Sequence, residues 1–225
     1  MKKIAIFIPI KCNSTRVPNK NFSDLGGVPL YIHAFTTAKA IVDNYNGTDV
    51  SLTVVVDTDS DKVKSDASLF GLNVLDRDPK LAEDTANGDS LLKHHISIFQ
   101  NFDIYCQLYI TCPFQNPESI IKLLDSVMES GENDSGFLAY EKQTWYWYGG
   151  KPVNYTIGNF PRSQDSIPVI METTGFYCVT KSAWKKTKSR IGLNPIIRNV
   201  SFKEAVDIDN IEDLELARIL CDVEL

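Results

Sequence analysis

The chain has 225 residues, 43% of them hydrophobic and 23% charged, with a formal net charge of -6 at pH 7. These proportions are ordinary for a globular protein and exclude a disordered or fibrous chain. The acidic balance argues against general binding to nucleic acids or membrane surfaces, and no apolar run is long enough to span a membrane. The first residues are not expected to form a secretory signal, because no small-residue cleavage site follows them.

Strands and helices alternate along the chain. Near-continuous apolar runs are typical of strands buried on both faces, and amphipathic segments between capping residues indicate helices. The predicted strands are 3–10, 51–61, 72–75, 103–110, 135–140, 171–181 and one that begins at 205. The predicted helices are 28–44, 61–71, 88–102, 117–131 and a final helix that ends at 220 and is capped by Asp209 or Asn210.

This alternation predicts an α/β fold, a Rossmann-like and mostly parallel sheet with flanking helices. Residues 141–171 break the rhythm, because they are aromatic, contain prolines and show no clear period. We therefore expect a single domain over residues 1–225, with 141–171 as a protruding arm. Ligands of such sheets bind beyond the carboxyl ends of the strands, so the loops that follow strands are where a site is expected.

The five cysteines form no Cys-x-x-Cys pair and are odd in number. Most of them have apolar neighbours, which predicts small buried residues in the reducing environment of the cytoplasm. Cys12 lies in a polar loop and is the one candidate for a reactive thiol.

The loop after the first strand collects positive charge in an otherwise acidic protein. Lys11, Arg16 and Lys20 are interleaved with hydroxyl and amide donors such as Ser14 and Asn21. Lys and Arg neutralise phosphate groups, while Ser, Asn and backbone N–H groups donate hydrogen bonds to phosphate oxygens. The loop matches neither GxxxxGK[ST] nor GxGxxG. Its composition indicates a phosphate site of another kind, with a solvated charged loop as the alternative.

Acidic residues follow the second strand, at Asp57, Asp59 and Asp61. Clustered carboxylates are unfavourable unless a cation or a base compensates them. Three functional interpretations are open: metal ligands in a nucleotide site, the DxD motif of a sugar transferase, or the nucleophile segment of a haloacid-dehalogenase-like phosphatase. A helix N-cap followed by an acidic first turn explains the same residues without any function.

A second acidic pair, Asp207 and Asp209, lies near the carboxyl end of the chain. On a strand these two side chains would point to the same face, roughly 6.5–7 Å apart. Two carboxylates so placed can share one hard cation such as Mg²⁺. Asp209 can instead serve only as a helix cap.

Seven motifs occur in chain order over nearly the whole sequence. They are IPIKCNSTRVPNKN (8–21), RDPKLAEDTANGDS (77–90), TCPF (111–114), RSQD (162–165), ETTGFY (172–177), RIG (190–192) and VDIDNIEDL (206–214). Each is unspecific alone, but together they resemble the cytidylyltransferase family that activates acidic sugars, the CMP-sialate (acylneuraminate) and CMP-Kdo synthetases.

The resemblance implies a role for each matching position. The residues implied to bind the nucleotide are Lys11, Ser14, Asn21 and Arg77. The residues implied in catalysis are Arg16, Lys20 and Asp209. The residues implied to bind the sugar acid are Tyr109, Arg162, Gln164 and Glu172. Mg²⁺ would be held by Asp207 and Asp209. The family is a homodimer whose arm reaches the neighbouring site, which would explain residues 141–171.

The activity implied by the resemblance is transfer of CMP from CTP to the anomeric hydroxyl of a 2-keto sugar acid, a sialic-acid-like nonulosonate, with release of pyrophosphate. The alternatives are a CMP-Kdo-type synthetase, a sugar transferase that uses Asp57 and Asp59, and a non-catalytic nucleotide-binding protein. Lys11 replaces an Arg of the family, and Tyr109-Ile110 replaces a Gln-Pro pair linked to the sugar. The sequence therefore does not name the sugar acid.

Overall fold

A seven-stranded sheet organises the chain in the computed structural model, which describes residues 1–14, 17–83 and 86–223. Its strands and those of two small hairpins are, in order, β1 (Lys2–Ile10), β2 (Asp24–Leu25), β3 (Val28–Pro29), β4 (Val50–Thr58), β5 (Asn73–Asp76), β6 (Ile104–Leu108), β7 (Ser135–Lys142), β8 (Trp147–Tyr148), β9 (Lys151–Pro152), β10 (Val169–Thr180) and β11 (Pro195–Asn199). The α-helices are α1 (Leu30–Tyr45), α2 (Asp61–Leu69), α3 (Gly88–Ile98), α4 (Pro117–Glu129), α5 (Lys181–Thr187) and α6 (Ile211–Cys221).

The order of strands across the sheet is β11-β7-β10-β6-β1-β4-β5. Strand β1 pairs in parallel with both β4 and β6, while β10 is antiparallel to its neighbours β6 and β7. The prediction of a Rossmann-like, mostly parallel sheet is therefore confirmed. The chain leaves β1 toward β4 and β5 and returns to the other side of β1 at β6, so the space beyond the carboxyl ends of β1, β4 and β6 is a topological switch point.

Helices cover both faces of the central strand, which is why β1 is apolar along its whole length. Ile4, Ile6 and Ile8 pack in a buried cluster that includes side chains of α1 and α4. Ala5 and Phe7 face the opposite side, against side chains of α3 and α5.

Local signals placed most helix ends correctly. Asn116 caps α4 by accepting a hydrogen bond from the backbone N–H of Glu118, and Pro117 occupies the first helical position. After α2, Gly71 has a φ of 71°, a left-handed conformation that glycine adopts without strain and that ends the helix.

Near the carboxyl end, one predicted strand does not form and one strand was not predicted. The segment from residue 205 to 209 is not a strand; its Ile208 N–H donates to the Thr111 carbonyl, which lies outside any strand. The chain instead forms β11 (Pro195–Asn199), which lies at the edge of the sheet beside β7. An edge strand is half exposed, so it lacks the continuous apolar run by which buried strands are recognised.

Of the predicted arm at 141–171, the two ends belong to β7 and β10. Residues 143–168 lie outside the seven-stranded sheet and form a short hairpin, β8 with β9, and irregular chain. This segment exposes large apolar side chains, among them Tyr148, which is 85% exposed, Ile157 at 73% and Phe160 at 63%. Among the helices of the described ranges, none combines the length and apolarity needed to cross a membrane.

Candidate functional site

A cleft opens at the switch point, beyond the carboxyl ends of β1 and β6. The residues that line it come from the loop after β1, from the segment after β5, from α3 and from the segment after β6. The polar and charged residues of the lining include Lys11, Ser14, Lys20, Asn21, Arg77, Tyr109 and Thr111. The structure thus brings together around one cleft the described residues that were assigned to the nucleotide, together with Lys20 and Tyr109.

The loop after β1 is folded back on itself by its own polar side chains. Asn19 takes a left-handed conformation with φ 56°, which asparagine tolerates better than most residues, and starts a short 3-10 helix from Lys20. Asn21 Nδ2 donates to the Lys11 carbonyl at 2.7 Å, which joins the two ends of the loop. Arg16, the third predicted cation, lies outside the described residues.

Lys20 is a buried cation in the wall of this cleft. Its side chain is 7% exposed, and Nζ donates to the Ile208 carbonyl at 2.5 Å. This hydrogen bond links the loop after β1 to the segment that carries Asp207 and Asp209. A buried ammonium group beside a polar cleft is suited to neutralising an anion there.

Arg77 reaches the cleft from a buried ion-pair network. Its Nε and Nη2 donate to the two carboxylate oxygens of Asp57 at 3.2 and 2.9 Å. His95 Nε2 donates to Asp57 Oδ2 at 2.9 Å, and its ring stacks on Phe7. All three charged or polar partners are buried. The network holds the Arg77 guanidinium in one place at the edge of the cleft.

The network also determines which groups carry charge. Burial alone would raise the pKa of Asp57, but hydrogen bonds from His95 and Arg77 outweigh it and lower the pKa below its ordinary value. Burial lowers the pKa of His95 despite the hydrogen bond to Asp57. Asp57 is therefore an anion and His95 a neutral imidazole near pH 7.

The interpretation of Asp57 as a metal ligand or a DxD residue is not supported by this geometry, because both of its oxygens already accept hydrogen bonds. Asp59 is exposed and accepts a hydrogen bond from the backbone N–H of Cys12 at 2.6 Å. Ser60 caps α2 by accepting from the backbone N–H of Val63, and Asp61 follows in the first turn. These contacts favour the N-cap interpretation of the segment.

Tyr109 belongs to an aromatic and charged cluster on the other wall. Arg190 lies 3.9 Å from the centroid of the Tyr177 ring, and its Nη1 donates to Tyr109 Oη at 3.3 Å. Tyr177 Oη donates to the Glu172 carboxylate at 2.8 Å. Burial raises the pKa of Tyr109 although the Arg190 charge opposes it, so the phenol is neutral. Sequence reasoning gave Tyr177 and Arg190 no role; the ETTGFY and RIG motifs were the signals that marked them.

Asp207 and Asp209 do not line the cleft but lie on an irregular segment that two lining residues hold in place. Lys20 Nζ donates to the Ile208 carbonyl, and the Ile208 N–H donates to the Thr111 carbonyl. Asp207 Oδ2 accepts a hydrogen bond from Thr174 Oγ1 at 2.7 Å. Its other oxygen, Oδ1, is buried and has no hydrogen-bond partner among the described residues. Asn210, not Asp209, is the N-cap of α6, and it forms a capping box with Asp213.

A buried carboxylate oxygen without a partner fits a bound cation, because burial without compensation is unfavourable. Within the described ranges, no group of three or more His, Cys, Asp or Glu side chains is placed to hold a metal. A cation bound by Asp207 and Asp209 would therefore need further ligands from substrate or water, as is usual for Mg²⁺.

Arg162 and Gln164 are not among the residues that line the cleft. Both are exposed on the segment that stands apart from the sheet, where Arg162 Nε pairs with the Asp165 carboxylate at 2.5 Å. The Gln164 carbonyl accepts a hydrogen bond from Gln143 Nε2 at 2.6 Å.

The fold and the cleft together define a class of protein. A parallel sheet with a cationic cleft at its switch point is typical of α/β enzymes that bind nucleotides. The sequence model of one such family, cytidylyltransferase, matches residues 5–148. The match covers more than half of the chain, which therefore belongs to the cytidylyltransferase family and is a nucleotidyltransferase.

Two similar curated relatives differ in how much of their own length the chain covers. A pseudaminic acid cytidylyltransferase of Campylobacter jejuni is 27% identical over 238 residues, which span 98% of this chain and 96% of the relative. N-acylneuraminate cytidylyltransferase B of Danio rerio is 27% identical over 195 residues, 84% of this chain but 44% of the relative.

A solved structure of CMP:2-keto-3-deoxy-manno-octonic acid synthetase complexed with CTP shares the fold. It superimposes with a TM-score of 0.67 at 19% identity, over 97% of this chain and 98% of that one.

Proposed function

We propose that this chain transfers CMP from CTP to the anomeric hydroxyl of a 2-keto sugar acid of the nonulosonate class and releases pyrophosphate. The observation that carries the proposal is the cleft at the switch point, where Lys11, Lys20 and Arg77 converge in an otherwise acidic protein. Support for the acceptor comes from the names of the relatives, which act on pseudaminic and N-acylneuraminic acid.

The chain's own residues bind and orient the triphosphate. Phosphoryl transfer needs little covalent chemistry from the protein, so positioning and stabilisation of charge do most of the work. Lys20 and Arg16 stabilise the negative charge that builds on the leaving pyrophosphate. Arg77, held by Asp57, offers a fixed positive charge to the phosphates or ribose, while Ser14 donates a hydrogen bond.

Asn21 stands next to Lys20 in the cleft and is proposed to read the cytosine ring. On the opposite wall, Tyr109 is proposed to contact the sugar acid. Glu172 is proposed to take part through Tyr177, whose hydroxyl donates a hydrogen bond to the Glu172 carboxylate. The attacking hydroxyl must lie in line with the bond to pyrophosphate, so the two walls must bind the two substrates on opposite sides of the α-phosphorus.

Mg²⁺ is the proposed cofactor, and Asp207 and Asp209 are the residues that would hold it. A bound Mg²⁺ would supply Lewis-acid chemistry to the α-phosphate and to the attacking hydroxyl. The partnerless Oδ1 of Asp207 supports this assignment. The hydrogen bond from Lys20 to Ile208 keeps the segment with both carboxylates next to the cationic loop.

A homodimer is part of the proposal. The exposed apolar side chains of the arm, such as Tyr148 and Phe160, support its burial against a second copy. In that arrangement Arg162 and Gln164 would reach the partner's site. A cytoplasmic location is also proposed, since all five cysteines are free thiols, which persist in reducing compartments.

The experiment is pyrophosphate release from CTP and Mg²⁺ with a panel of acids: pseudaminic acid, N-acetylneuraminic acid and Kdo. We expect release with a nonulosonate, matched by formation of its CMP ester. Asp209→Ala should abolish turnover while CTP binding, measured by calorimetry, survives. CTP binding without turnover of any acid would contradict the proposal and favour a non-catalytic binding protein.

One alternative has an observation in its favour. The fold shared with a CMP:2-keto-3-deoxy-manno-octonic acid synthetase supports a CMP-Kdo-type activity. The panel separates the two, because the acid with the highest kcat/KM identifies the acceptor. Asp57 and Asp59 lend no support to a sugar transferase, since Asp57 is fully engaged by Arg77 and His95.

A further inference from the structure

Thr174 has a backbone conformation that its side chain disfavours. Its φ is 54°, in the left-handed region where a β-branched residue is a genuine outlier. Such conformations persist only where the surroundings enforce them, and they cluster at functional sites. Thr174 lies in β10 at a point where the register against β7 shifts, between Glu172 and Tyr177.

The shift is a large bulge. Glu172 pairs with Ala139 and Tyr177 with Phe137, so β10 advances five residues while β7 advances two. The extra residues cannot lie flat in the sheet, and the bulged chain contacts the segment that follows β6, at Tyr109 and Cys112. A bulge of this kind changes the direction in which a side chain points, compared with a regular strand.

Both neighbours of Thr174 are clamped. The Thr173 hydroxyl donates to the Leu138 carbonyl at 3.0 Å, and the Thr173 carbonyl accepts from the Cys112 thiol at 2.8 Å. The Gly175 carbonyl accepts from the backbone N–H of Tyr109 at 2.8 Å. With the chain held on each side, Thr174 has little freedom to relax toward a negative φ.

The strained residue makes one side-chain contact with the proposed metal site. Thr174 Oγ1 donates to Asp207 Oδ2 at 2.7 Å. This hydrogen bond occupies one carboxylate oxygen and leaves Oδ1 buried with no hydrogen-bond partner in the described part of the chain. The carboxylate is thereby held in one rotation, close enough to Cys112 for its charge to add to the effect of burial and raise the pKa of that thiol.

We propose that Thr174 is a positioning residue for Asp207: its hydroxyl holds Oδ2 so that Oδ1 faces the bound divalent cation. The proposal rests on the proposed function through the assignment of Mg²⁺ to Asp207 and Asp209. Mutation of a group that orients a metal ligand typically lowers metal affinity about 10- to 100-fold. Thr174 is suited to this role because a fixed backbone fixes the hydroxyl as well.

The test measures metal binding without turnover. Mn²⁺ serves as the paramagnetic probe, and its dissociation constant is obtained by electron paramagnetic resonance on the full chain with CTP present and no sugar acid. Thr174→Val keeps the side-chain shape but lacks the hydroxyl, and we expect about 10- to 100-fold weaker Mn²⁺ binding. Thr174→Ser restores the hydroxyl and should restore binding.

A second variant covers the case in which Thr174→Val does not fold. Thr174→Gly accepts a φ of 54° without strain and also lacks the hydroxyl, so it should fold and bind Mn²⁺ weakly. Wild-type affinity in the Val or Gly variant, or weak binding in Thr174→Ser, would overturn the positioning role. Wild-type affinity in Asp207→Asn would instead overturn the metal assignment within the proposed function.

Discussion

Substituting Asp57 by Asn should destabilise the protein strongly, because it leaves a buried charge without a partner. The Asp57 and Arg77 side chains are 1% and 3% exposed, and their charged atoms lie 2.9 Å apart. Asn is nearly isosteric with Asp, so the change removes the charge and not the packing. Removing one partner of a buried pair costs about 3–5 kcal/mol. For a chain of this size, that corresponds to a fall in Tm of roughly 6–20 °C.

The assay is urea unfolding at pH 7 followed by circular dichroism, with Asp43→Asn as the matched control. Asp43 pairs with Lys39 at 3.0 Å, but the two side chains are 53% and 51% exposed. We expect this control to change the free energy of unfolding by no more than about 0.5 kcal/mol, because water screens exposed pairs. If Asp57→Asn lowers the free energy of unfolding by less than about 1 kcal/mol, Asp57 and Arg77 do not form a buried ion pair that is shielded from water.

Two further predictions concern titration and packing. Burial lowers the pKa of His95, so below the ordinary histidine pKa of about 6.5 the unfolded chain binds more protons than the folded chain. The free energy of unfolding should therefore fall toward pH 5, by up to about 1.4 kcal/mol per pH unit. His95→Gln should flatten this slope in urea titrations and His94→Gln should keep it; equal slopes would contradict the assignment. Gly175→Ala should lower the free energy of unfolding by about 1–3 kcal/mol, because the new Cβ would lie 2.7 Å from Gln115 Cδ. Gly131 has open space around it, so Gly131→Ala should leave the thermal melt nearly unchanged.

The candidate site was predictable only where its residues are neighbours in sequence. Lys11, Ser14, Lys20 and Asn21 share one loop after a recognisable strand, so their composition alone indicated an anion site. Arg77 entered only through the resemblance, because nothing near it in sequence shows that it lines the same cleft. Asp207 and Asp209 were placed on a strand that does not form, and the structure ties their segment to the cleft only through the hydrogen bond from Lys20 to the Ile208 carbonyl.

Sequence patterns were enough to predict the alternation of strands and helices, the mostly parallel sheet and the capping of α4 by Asn116. Each of these depends on periodicity or on contacts within a few residues, which the sequence displays directly. The pairing of Asp57 with Arg77 and His95, and the bulge in β10 that places Thr174 against Asp207, could not be predicted because both arise from tertiary contacts. Those contacts join residues 20 to 38 positions apart in the first case and 33 in the second. They depend on how the ends of non-consecutive strands meet at the switch point, and no local pattern encodes that.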